Sequence, residues 1–191
     1  MNKELRDASI IALRDCMGLK PEETVLIVTD ELTREIGLGL HEAGKELCKE
    51  SMLVEIKSRD IDGQEPPVAI AALMKAVDVV VCPTNKSLTH TDARREAAAQ
   101  GVRFGTMPGI NLDTMVRCLN ADYDKIIALT DYIAAKLVGV STIKVTTEKG
   151  TNVVMPVKDR KILPSKGVMR NKGESGNLPS GEVYLAPWED Q

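Results

Sequence analysis

Aromatic residues are scarce: one Phe, three Tyr and one Trp in 191 residues. That scarcity excludes the stacking platforms on which single-stranded nucleic acids are bound. Excess positive charge is missing too. Lys and Arg number 25 against 28 Asp and Glu, a net charge of −3, so no basic field attracts a phosphate backbone. Histidine occurs only at His41 and His90, which leaves few bases for a Ser-His-Asp or Cys-His machine. The four cysteines, Cys16, Cys48, Cys82 and Cys118, form no CxxC pair. Each lies in or beside an apolar segment and reads as a reduced thiol rather than part of a disulfide framework or zinc knuckle. No apolar run is long enough to cross a bilayer. The opening MNKELRDASIIALRDCMGL is amphipathic, with no apolar h-region or cleavage site of a signal peptide. The expectation is a cytoplasmic protein without nucleic-acid or membrane partners.

What is present is a repeated alternation of strand and helix. Leu5, Ala8, Ala12 and Cys16 recur at helical spacing, predicting a helix over 3–17 that closes at Gly18. TVLIVTD (24–30) is a continuous apolar run, as in a strand buried on both faces. A stripe of Ile36, Leu40, Ala43 and Leu47 predicts the next helix, and SMLVEIKS (51–58) the next strand. Pro67 opens a helix through Ala76, DVVVCPT (78–84) is a third strand, and Thr89 with Asp92 fits the capping-box spacing of a helix ending at Gly101. VRFGTMPGI supplies a fourth strand, and 111–138 is mostly helical. The fold class expected is α/β, a mainly parallel Rossmann-like sheet with helices on both faces. After Gly139 the period changes to 2 around Lys-Gly-Thr-Asn, predicting an antiparallel β-hairpin that begins a second element. The expected domains are residues 1–140 and 141–191. Residues 158–180 hold no period and are expected to be the least ordered.

In such a sheet ligands lie beyond the carboxyl ends of the strands. Those ends carry Thr29-Asp30, Pro83-Thr84-Asn85 and Met107-Pro108-Gly109, for which helix capping is the plainer role. Gly37 and Gly39 do not make a dinucleotide fingerprint, because position 42 is Glu and the pair lies well past the strand end. There is no P-loop. His90 and Asp92 stand two apart, a spacing that does not share a helix face, and His41 sits among Glu42, Lys45 and Glu46 as a surface residue. Glu182 opens the short β-type run Val183–Ala186 after the turn GNLPSG; a carboxylate so placed suits a metal ion, although an isolated Glu at a strand start is usually just solvated.

The stretch NLPSGEVYLAP (177–187) resembles the N-[LM]-P-x-[GE]-E-V-[FY]-x-x-P segment of thermophilic metalloaminopeptidases of the aminopeptidase T/aminopeptidase S type, often labelled leucyl aminopeptidase. SLTHTDARREAAAQGVRFGTMPGI and EKGTNVVMPVKDRK are similar to the N-terminal half of that family. The resemblance implies a cytoplasmic, homodimeric exopeptidase acting on peptides, with two divalent ions (zinc, cobalt or similar) and an α/β domain preceding a catalytic one. It implies a metal-ligand role for Glu182. A water bridging the ions would attack the first peptide carbonyl. The family's other ligands and base, a second Glu, two His and an Asp, follow this motif. The chain is therefore expected to be an N-terminal portion, with its catalytic residues unassigned, no firmly bound ion and no turnover alone. Two alternatives stand beside this reading: a non-catalytic α/β binding or dimerisation module, and a portion of a related ferrous-iron dihydroxypyridine ring-opening dioxygenase. Glu182, as the peptidase-type ligand, favours the peptidase.

Overall fold

The computed structural model describes residues 2–189. Helix α1 (Lys3–Ile10) starts where the Asn2 side chain accepts the Leu5 N–H at 2.7 Å. It continues as a wider π-helical stretch, Ile11–Cys16, and the chain then turns at Gly18, whose φ of +59° suits glycine. Strand β1 (Thr24–Asp30), helix α2 (Arg34–Leu47), strand β2 (Glu50–Ile56), helix α3 (Val68–Met74) and strand β3 (Val79–Cys82) follow in strict alternation. Helix α4 (Asp92–Ala99), strand β4 (Arg103–Thr106) and helix α5 (Leu112–Leu119) complete the pattern expected from the sequence.

The strands pair in parallel in the order β2-β1-β3-β4, and a fifth parallel strand, β8 (Ser175–Asn177), adds beyond β4. Consecutive strand residues point to opposite faces, and in β1 and β3 both sets are buried, which is why these runs are apolar without alternation. Leu26, Val28, Val80, Cys82 and Phe104 build one core with Met74, Ala93 and Ala97 from α3 and α4. Toward the opposite face, α2 packs on β1 and β2, and α1 packs on α2 and α5. The fold is α/β with helices on both faces.

Strand β8 departs from expectation. It lies within 158–180, the stretch expected to be least ordered, and its Ser-Gly-Asn sequence carries no apolar signal. Its position comes from tertiary hydrogen bonds. Phe104 N donates to Glu174 O at 2.9 Å and Leu178 N to Thr106 O at 2.8 Å. Buried Met169 and Leu178 flank it, and Met169 N donates to Cys16 O at 2.8 Å.

By internal contacts the chain divides into two units. The first holds the residues up to Tyr123 together with Gly167–Pro179, and the second holds Asp124–Lys166 with the residues from Ser180 onward. The expected boundary near residue 140 falls inside the second. That unit contains helix α6 (Tyr123–Leu137, from Asp124), an antiparallel pair of β5 (Thr142–Thr146) and β6 (Asn152–Pro156), and a second antiparallel pair of β7 (Leu163–Ser165) and β9 (Glu182–Tyr184). Gly150, with φ +101°, makes the β5–β6 turn.

Candidate functional site

The residues expected at the carboxyl edge of the sheet do come together, and they satisfy one another. Asp30 ends β1 only 1% exposed. Its Oδ1 accepts the N–H groups of Leu32 at 3.1 Å and Thr33 at 3.2 Å, and its Oδ2 accepts Asn85 N–H at 2.6 Å. The Thr33 hydroxyl lies 3.0 Å from Asp30 Oδ1 and 2.6 Å from the Pro83 carbonyl oxygen. Thr84 donates its hydroxyl to Lys86 O at 2.7 Å and accepts Gly109 N–H on its carbonyl at 2.9 Å. Met107 N donates to Cys82 O at 2.9 Å.

A second polar group at this edge was invisible in the sequence. The Asn177 side-chain oxygen accepts the Thr106 hydroxyl at 2.7 Å, and the Thr89 hydroxyl lies 2.8 Å from that of Thr106. Arg94 donates Nε–H to Thr89 O at 2.9 Å and Nη1–H to Ser175 Oγ at 3.1 Å. Burial, helped by the charge of Arg95, holds the Arg94 guanidinium pKa below its ordinary value. Among the described residues no carboxylate pairs with it. The spacing Thr89…Thr106…Asn177 carries no motif, since strand register alone sets Asn177 opposite Thr106.

The capping of α4 differs from the expected box. Thr91, not Thr89, is the cap, accepting Arg94 N–H at 3.2 Å. The carboxylate at this helix start comes from Glu65, which takes Asp92 N–H at 2.6 Å and Ala93 N–H at 3.2 Å. Asp92 pairs with Arg95 instead, and His90 is exposed. His41 is half-buried, its Nδ1 3.0 Å from Ser51 Oγ. Gly37 and Gly39 serve packing: an added Cβ would stand 2.7 Å from Thr29 Cβ and 3.0 Å from Leu5 Cγ, respectively. All four cysteines are free thiols; burial pushes Cys16 up to about 12, against the hydrogen bond it shares with Tyr123, and burial raises Cys82 as well. Cys16, Cys48 and Cys82, each held above its ordinary value by burial, lack the setting of a reactive thiol.

Glu182 begins β9 in register with Ser165, and its side chain is exposed. The turn before it is built from a cis Leu178-Pro179 bond, a 2.6 Å contact between the Ser180 and Ser165 hydroxyls, and Gly181, where a Cβ would meet Ile126 Cγ2 at 2.9 Å. The backbone of Glu182 is therefore fixed while its carboxylate has no hydrogen-bond or ion-pair partner among the described residues. A metal needs more. Among the described residues no three His, Cys, Asp or Glu side chains gather where an ion could be held. No helix among them is long and apolar enough to cross a membrane.

Solved structures that share this fold include the two that follow. The 2,5-dihydroxypyridine dioxygenase of Pseudomonas putida KT2440 superposes with a TM-score of 0.71 at 16% identity, covering 97% of this chain and 56% of its own. Wild-type AmpT from Thermus thermophilus superposes with a TM-score of 0.62 at 12% identity, covering 99% of this chain and 62% of its own. The chain thus spans somewhat more than half the length of either. No curated relative matches it. At such identities both likenesses show the fold alone, so AmpT does not carry the aminopeptidase expectation. That expectation, and with it the assignment to the hydrolases, is corrected by the family match: residues 9–191 fit the family described as NicX: 2,5-dihydroxypyridine 5,6-dioxygenase. One carboxylate at position 182 was too little to separate amide hydrolysis from ring opening. The chain belongs to the 2,5-dihydroxypyridine 5,6-dioxygenase family.

Proposed function

We propose that the protein takes part in oxygen-dependent opening of a dihydroxypyridine ring. The observation that carries this reading is the family match across residues 9–191, which leaves only the first eight residues outside it. The likeness to the P. putida dioxygenase is consistent with it in fold.

The related ring-opening enzymes use one ferrous ion, and the described residues do not fit a complete site for it. Glu182 is the proposed contribution: a single carboxylate on a fixed backbone, exposed and unpaired among the described residues. The first unit provides the scaffold, with its carboxyl-edge polar groups engaged in holding loops.

The test is an assay of the protein, and of any longer product of its gene, loaded anaerobically with Fe(II). Loss of 2,5-dihydroxypyridine absorbance with matching oxygen uptake is expected from the active form, and no release of p-nitroaniline from leucine p-nitroanilide with Zn²⁺ or Co²⁺. Amide hydrolysis without oxygen uptake would sink the proposal. Glu182→Gln in the active form is expected to lower iron content. Unchanged iron content and ring opening would remove Glu182 from the site.

A further inference from the structure

The strand order places the topological switch of the sheet between β1 and β3. The connection leaving β1 runs out to β2 at the edge, while the one leaving β3 runs the other way to β4. In open parallel sheets the crevice between two such loops receives the ligand, commonly through an anionic group held by backbone N–H groups. Here the loops are Glu31–Thr33 and Pro83–Asn85, and the crevice between them already holds an anion: the carboxylate of Asp30.

We infer that the switch-point crevice is closed by the chain's own Asp30, which takes the place a ligand's anionic group would occupy, so that the first unit is a scaffold rather than a nucleotide- or phosphate-binding module. Three backbone donors converge on this carboxylate, two from the β1 loop and one from the β3 loop, with the Thr33 hydroxyl as a fourth neighbour. The group is 1% exposed, so its bonds form out of water, where charge-assisted hydrogen bonds are strongest and an unpaired donor costs most. Thr33 ties the same two loops a second time through Pro83 O at 2.6 Å.

The neighbouring loops repeat the arrangement. Asp62 takes Ser87 N–H at 2.8 Å, Glu31 takes Ser58 N–H at 2.8 Å, and Glu65 takes the first N–H groups of α4. Asp30 at the end of β1 and three carboxylates from the loops after β1 and β2 thus engage backbone donors that an external anion would need. This inference rests on hydrogen bonding within the first unit and is independent of the ring-opening reading.

The experiment uses stability and ligand binding as readouts, so its failure is separable from failure of the dioxygenase proposal. Calorimetric titration of the wild type with NAD⁺, ATP and inorganic phosphate is expected to show no saturable binding. Asp30→Gly leaves the donors facing a carboxylate-sized gap; its unfolding equilibrium is expected to shift by about tenfold or more toward the unfolded chain. Formate is expected to restore part of that loss, beyond what chloride gives at equal ionic strength. Saturable phosphate or nucleotide binding by the wild type would overturn the inference, as would an Asp30→Gly protein that is unimpaired or indifferent to formate. If Asp30→Gly does not fold, Asp30→Asn decides: it keeps the shape but turns a donor or a neutral oxygen toward the donors, and wild-type stability in that variant would overturn the inference.

Discussion

The two units handle their polar and apolar groups in opposite ways. In the first, β1 and β3 are buried on both faces, and the loop carboxylates at the sheet's edge are bonded to neighbouring backbone. In the second, β5 and β6 keep most of their residues exposed, Val154 at 61%, and α6 leaves Leu129 and Tyr132 exposed at 62% and 58%. Burying a Val or Leu is worth about 1.5–3 kcal/mol, so the first unit holds most of the hydrophobic stabilisation. The second holds Glu182, exposed on a fixed backbone. Buried apolar surface is concentrated in the first unit, and substitutions should show the difference.

The largest effect is expected at Glu23. Its carboxylate forms an ion pair with Arg103, whose side chain is only 4% exposed and also donates to Gly18 O at 2.9 Å. Glu23→Ala strands a buried guanidinium, and removing one partner of such a pair costs about 3 kcal/mol or more. For a protein of this size that lowers the Tm by roughly 6–12 °C. Urea unfolding followed by circular dichroism checks it. A loss below about 1 kcal/mol would mean that water reaches Arg103, breaking the contrast with the exposed pairs of the second unit such as Lys166–Asp131.

A smaller pair of effects sharpens the comparison directly. Gly37→Ala brings a Cβ within 2.7–2.9 Å of the Thr29 side chain, whose hydroxyl is already 3.0 Å from that of Thr33. Overpacking costs about 1–3 kcal/mol, offset by about 1 kcal/mol of helix propensity. A net loss near 1 kcal/mol is expected. Val154→Ser in the second unit should change stability by less than about 0.5 kcal/mol. Equal losses at the two positions would erase the distinction between the units.

The same division governs how much the sequence reveals. Strands β1 and β3 are legible because burial on both faces demands uninterrupted apolar runs, and helix α2 because Ile36, Leu40 and Ala43 fall on one stripe. Strand β8 is not, because Ser175, Gly176 and Asn177 owe their place to hydrogen bonds with β4 rather than to their own side chains. The start of α4 is half legible: the region is right, but Glu65 occupies its first N–H groups from 27 residues upstream, a contact no local motif encodes. The site is the least legible part. Glu182 was singled out by its resemblance to a motif, and a lone exposed carboxylate does not by itself specify a reaction. The family match over residues 9–191 gives the family, which one residue could not.

The smallest effect concerns pH and probes a half-buried group of the first unit. Desolvation, then the charge of Lys45, holds the His41 imidazole pKa below its ordinary value, while Glu42 and Glu50 oppose them. The Ser51 hydroxyl donates to His41 O at 3.1 Å, which leaves Nδ1–H to donate to Ser51 Oγ. That bond survives protonation, because imidazolium also carries Nδ1–H; only desolvation and Lys45 resist the charge. With the folded pKa below the unfolded one, the unfolded chain binds more protons. The stability tied to His41 is then complete above the unfolded value of about 6.5, shrinks as pH falls through it, and levels off below the folded value. His41→Gln should therefore show a shallower fall in Tm between neutral pH and mildly acidic buffer than the wild type. Parallel Tm curves for the two proteins would mean that Glu42 and Glu50 cancel the penalty.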